Sequence, residues 1–202
     1  MGRKRFVVAA LAIVLLGSAA AAAMATRAGR APELHGTLLQ PPLPAAEFLL
    51  TSAGGDRTGP QEHRGRLVVL FFGFASCPDV CPLTLQRLSG AIGSLGDRGD
   101  DVQVILVSVD PDRDTPEATN DYAQSFDPRF IGVTGSEDEL REVASRYGIF
   151  FAANPVEGES GYSVDHTAST LVLDRRGRLA MIWPFDTAEA ELASDLAWLL
   201  RR

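Results

Sequence analysis

Two stretches, RLVVLFFGF at 66–74 and VQVILVSV at 102–109, are nearly unbroken runs of apolar β-formers. A strand of that composition has no polar face to offer water, so each is expected inside a sheet covered on both sides. Between them Leu85, Leu88, Ile92 and Leu95 recur at helical spacing and Gly96 closes the segment, giving strand, helix, strand. Thr115-Pro116-Glu117 then places a capping residue, a proline at the first helical position and an acid in the first turn, which predicts a helix to about Phe126.

Further along, a short strand is expected around Phe130–Val133, and Ser136 with Glu139 makes a capping box for a helix to about Tyr147. Residues 149–165, with Asn154-Pro155 and Gly158, read as an irregular hairpin or loop. STLVLD at 169–174 and RLAMIWP at 178–184 form an antiparallel pair about a turn at 175–177, and a last helix covers about Thr187–Arg201. EFLLT at 47–51 reads as an edge strand. The order is α/β, a central mixed sheet flanked by helices, in the sequence of a thioredoxin-like sandwich.

A chain of 202 residues, 46% hydrophobic, can bury one sizeable core, so one globular unit is expected. Ahead of it, MGRKR precedes a charge-free apolar run from Phe6 to Ala25, long enough to span a bilayer. Ala-Met-Ala at 23–25 resembles a signal-peptidase site, but the run exceeds a usual signal core, which favours an uncleaved anchor over a cleaved, secreted form. Arg3, Lys4 and Arg5 would stay cytoplasmic and the domain would face the periplasmic or extracytoplasmic side. The expected organisation is therefore an anchor or signal at 1–25, a flexible Pro-rich tether at 26–43 and a domain at 44–202.

Net charge is −7 for the chain and −10 without residues 1–25, which carry three positive charges and no negative ones. Such acidity argues against nucleic acid as a partner. Lys4 is the single lysine, so an exported domain has none for Schiff-base, P-loop or general-base chemistry.

Both cysteines, Cys77 and Cys81, lie in FFGFASCPDVCPLTL, just after the first buried strand and at the start of the helix. That is where open α/β sheets place their sites, and the positive helix end is expected to lower a thiol pKa. Two buried structural cysteines are the bland alternative. Four residues of regular helix rise about 6 Å, near the upper limit a disulfide spans, so the same spacing serves a redox pair or two sulfurs sharing an ion.

A third donor must come from the histidines. His35 falls in the tether and His63 in a polar loop, both expected to be solvated, whereas His166 directly precedes the strand at 169–174, which a thioredoxin-like fold brings against the cysteine helix. Two sulfurs and an imidazole suit copper in either oxidation state. Zinc would want a fourth donor, and Asp79, Asp110 and Asp165 are candidates that also read as caps and solvated turns.

Together with these residues, SVDPDRDTPE at 108–117, GVTG at 132–135 and YSVDHTASTLVLDRRGRL at 162–179 resemble the Sco/SenC family over about residues 44–202. The resemblance implies a membrane-tethered copper metallochaperone that loads the binuclear copper centre of cytochrome c oxidase subunit II, with Cys77, Cys81 and His166 as ligands and Asp110 beside the site. Other copper chaperones or thiol reductases would be further partners. A rival is an extracytoplasmic thiol–disulfide oxidoreductase working through Cys77 and Cys81, reducing the acceptor's cysteines before metal arrives. Redox or copper sensing is a third reading. Three residues between the cysteines and no proline at Ala168-Ser169-Thr170 set the chain apart from thioredoxins, and Phe74 in place of threonine from peroxiredoxins.

Overall fold

The computed structural model describes residues 33–155 and 161–202. Strand β1 (Thr37–Pro44) leads to the short pair β2 (Leu50–Thr51) and β3 (Arg57–Thr58), then β4 (Leu67–Gly73), helix α1 (Val80–Gly93) and β5 (Val102–Ser108). Helix α2 (Pro116–Gln124), β6 (Ile131–Val133), α3 (Glu137–Tyr147), the hairpin β7 (Phe151–Pro155) and β8 (Tyr162–His166), β9 (Thr170–Leu173), β10 (Arg178–Trp183) and α4 (Glu189–Leu199) follow. The main sheet runs β1-β10-β9-β4-β5-β6, parallel across β4, β5 and β6 and antiparallel elsewhere. This is the mixed sheet of a thioredoxin-like fold.

Every residue of β4, β5 and β9 is buried, as runs without a polar face require. Register pairs Leu67 to Gly73 one for one with Val102 to Ser108, so the carboxyl ends of both strands finish level. The loops that leave those ends form one rim of the sheet. Helix α1 buries Leu85, Leu88 and Ile92 and packs beside α4. The start signals read in the sequence are realised: Thr115 accepts from the Ala118 amide with Pro116 opening α2, and Ser136 and Glu139 close a reciprocal box on α3.

The tether expected through residue 43 is corrected by β1, which pairs with β10 along the sheet edge. Pro41, Pro42 and Pro44 hid it, yet an edge strand needs ladder hydrogen bonds on one side only and shifts register between Leu38 and Leu43 to accommodate them. Buried Asp195 of α4 fastens its start, accepting from the amides of His35 and Gly36 and from Trp183 Nε1 (2.9 Å). His35, expected in solvent, also sets Nδ1 3.3 Å from Glu191. The irregular segment expected at 149–165 is an ordered hairpin where it is described. Among the described residues no helix is long and apolar enough to cross a membrane; the run at 6–25 lies outside them.

Candidate metal centre

The turn between β4 and α1 carries Cys77, whose amide donates to Phe74 O at 3.3 Å. One turn on, the Cys81 amide donates to Cys77 Sγ at 3.3 Å. The helix start has no side-chain cap, although Asp79 stands at the capping position, so the sulfur of Cys77 takes the place of a capping oxygen. Cys81 lies under the turn and is fully buried. Close by, Gly73 leaves the room its sulfur occupies: a Cβ there would stand 2.9 Å from Cys81 Sγ.

His166 ends β8, and its Nε2 lies 3.5 Å from Cys81 Sγ. The edges of Phe71 and Phe74 border the ring at centroid distances of 6.2 and 5.7 Å, near-perpendicular in the case of Phe74. Nδ1 stands 3.2 Å from Thr167 O, and since a carbonyl only accepts, Nδ1 holds the proton and Nε2 points its lone pair at the sulfur. Burial lowers the His166 pKa and raises that of the Cys81 thiol, which the hydrogen bond to Cys77 raises further. Both groups are therefore neutral near pH 7, with the sulfur and Nε2 3.5 Å apart. The depressed thiol pKa expected at the helix start is not found at Cys81, because desolvation of a fully buried sulfur outweighs the backbone dipoles.

One donor atom from each of Cys77, Cys81 and His166 lies within 4.8 Å of the other two. Bonds of about 2.0–2.3 Å to a shared ion, as zinc makes to nitrogen and sulfur, leave donors roughly 3.5–4 Å apart. Small side-chain adjustments thus close the set on an ion. Both cysteines are free thiols. Cys77 and His166 line a cleft of about 570 Å³ walled by Phe74, Arg113, Tyr162 and Val164, while Cys81 is fully buried and does not line it.

The aspartates divide from this set. Asp79 and Asp165 line the same cleft, but Asp165 accepts from Asn154 Nδ2 at 2.8 Å and neither belongs to the three-donor group. Buried Asp110 spends one oxygen on Tyr162 OH (2.5 Å) and the other on Arg113, which removes it as a ligand. His63, in a 3-10 turn at Pro60–His63, faces Thr58 Oγ1 at 3.4 Å and is outside the group. Reading the sequence for donors missed Gly73, Arg113, Asp114 and Tyr162; the signal for Arg113 and Asp114 was the charged run DPDRD directly after a buried strand.

A family model described as SCO1/SenC matches residues 38–201. An SCO2-like protein of Rickettsia prowazekii is 32% identical over 146 residues, covering 72% of this chain and 71% of that protein. The solution structure of apo Sco1 from Thermus thermophilus superposes with a TM-score of 0.76 at 41% identity, over 85% of this chain and 99% of that one. ScoI of Bradyrhizobium japonicum, solved with copper bound, gives a TM-score of 0.69 at 34% identity over 77% of this chain and 98% of its own.

Proposed function

Since the chain belongs to the SCO1/SenC family, we propose that it is a copper metallochaperone that holds its cargo on Cys77 Sγ, Cys81 Sγ and His166 Nε2. The observation that carries this is the convergence of three donors from two distant segments, 77–81 and 166, with the imidazole tautomer already fixed for Nε2 to bind. Two soft sulfurs with one borderline nitrogen suit copper, and copper-bound relatives at 30% and 34% identity share the fold. Among the described residues no carboxylate joins the set to favour zinc.

Cargo must leave as well as arrive, and the donors divide accordingly. Cys77 and His166 line the cleft, where an incoming ligand can displace them one at a time, and Cys81 is the fully buried donor. The acceptor is the binuclear copper site of cytochrome c oxidase subunit II. Residues 1–25 hold the domain at the membrane on its periplasmic face, and a tether from residue 26 to about residue 33, ahead of the fastened His35 and Gly36, gives it reach. Titration of the reduced protein with Cu(I) should reach about one equivalent, and His166→Ala should weaken binding at least 10-fold, as loss of one of three donors demands. Unchanged affinity in that variant would remove His166 from the site.

A second reading, reduction of the acceptor's cysteines, draws on the half-buried Cys77 thiol, which lines the cleft, with buried Cys81 one helical turn on. Cys77 would attack the target disulfide and Cys81 would resolve the mixed disulfide, leaving Cys77–Cys81 oxidised. Reduction that survives His166→Ala and vanishes in Cys77→Ser would favour it.

A further inference from the structure

The loop after β5, residues 110–114, supplies no donor, yet each of its two buried carboxylates reaches one of the segments that do. Asp114 Oδ2 accepts from the Ala75 amide at 2.8 Å and from Ser108 Oγ at 2.6 Å. Ala75 lies two residues ahead of Cys77, so this bond ties the cysteine turn to the end of β5. Asp110 accepts from Tyr162 OH and from Arg113, and Arg113 lies over the Tyr162 ring at 4.1 Å while donating to Tyr162 O at 3.1 Å. Tyr162 opens β8, the strand that His166 closes.

That second tie matters because the β7–β8 hairpin is not part of the six-stranded sheet. Its ladder fixes His166 relative to Phe151 but not relative to Cys81. Phe74, which the Arg113 guanidinium overlies at 5.7 Å and which abuts His166 at 5.7 Å, packs between the two ties.

We propose that Asp110, Arg113 and Asp114 form a positioning hub, Asp114 setting the cysteine turn and the Asp110–Arg113 pair setting His166 through Tyr162. Copper affinity then depends on side chains that never touch the ion, because the hub bears in advance the ordering cost that two independent ligand segments would otherwise meet on binding. The inference rests on the copper-binding reading above, but its structural half stands apart from it.

The test is Tyr162→Phe, which keeps the ring under Arg113 and removes only the bond to Asp110. Cu(I) competition against a chromophoric chelator should show about 10-fold weaker binding than the parent, the lower end for losing a partner that orients a ligand. In a His166→Ala background the same substitution should cost nothing more, since the residue it acts through is gone. Parent-like affinity, or an equal loss in both backgrounds, would overturn the hub. In the metal-free protein, hydrogen exchange at Ala152 and Asp165, whose amides belong to the β7–β8 ladder, should speed up while β4 and β5 stay unchanged, and unaltered hairpin exchange would overturn it too. If the parent binds no copper, the copper reading fails alone and the exchange result still decides the hub.

Discussion

Gly73→Ala puts one carbon where the structure has least room for it. The new Cβ would lie 2.9 Å from Cys81 Sγ and 2.9 Å from Phe71 Cε1, and both residues are fully buried. Comfortable contacts between such atoms begin at about 3.5–4.0 Å, so a shift of roughly 0.6–1 Å must be shared between a ligand and a core aromatic. The backbone cannot easily yield, because Gly73 O accepts the Val109 amide at 2.9 Å and β4 is paired on both sides. Overpacking of this kind costs about 1–3 kcal/mol of stability. Displacing one of three donors by that amount should weaken copper binding by about 10–100-fold. Thermal unfolding of the metal-free protein and Cu(I) competition read the two effects separately. Gly93→Ala is the control, since a Cβ there meets nothing within 4 Å and alanine favours the helix by about 0.5–1 kcal/mol. Parent-like copper affinity in Gly73→Ala would refute the claim that this glycine is there to admit the sulfur.

Two further expectations concern the frame. Asp195→Ala strands three N–H groups, those of His35, Gly36 and Trp183, and should cost about 3 kcal/mol or more by denaturant unfolding, with Asp195→Asn recovering part through its remaining oxygen. A loss under 1 kcal/mol would mean that β1 is held by other contacts. Hydrogen bonds from Arg129 hold the Asp127 carboxyl below its ordinary range, so the folded state takes up this proton less readily than the unfolded one. The stabilisation is therefore complete above about pH 4 and lost as pH falls through the lower folded value. Asp127→Asn should cost about 1 kcal/mol at pH 7, discounted for the partly exposed Arg129, and progressively less as pH falls through the lowered folded value; a difference independent of pH would contradict the pairing.

Much of the frame was legible because single residue types forced it. Runs such as LVVLFFG and VQVILVS have one tolerable place in a fold, and Thr115-Pro116 and Ser136 with Glu139 mark helix starts by local chemistry. The strand β1 was not legible, since its prolines argue for a tether and its fastening comes from Asp195, more than 150 residues away. At the site, donor types and the general proximity of His166 could be read from topology. The titration of Cys81 could not, because burial at a given position is a tertiary property that outweighs the helix-end effect visible locally. Nor could the division of labour in DPDRD: Asp110 looks like a ligand in sequence and is spent on Tyr162 and Arg113 in space.

X-ray absorption on the protein loaded with one equivalent of Cu(I) tests most directly whether a side chain 85 residues beyond Cys81 completes the site. Two sulfur scatterers and one imidazole nitrogen in the parent, with the nitrogen lost in His166→Ala, is the predicted result. A sulfur-only shell that is identical in both proteins would contradict it.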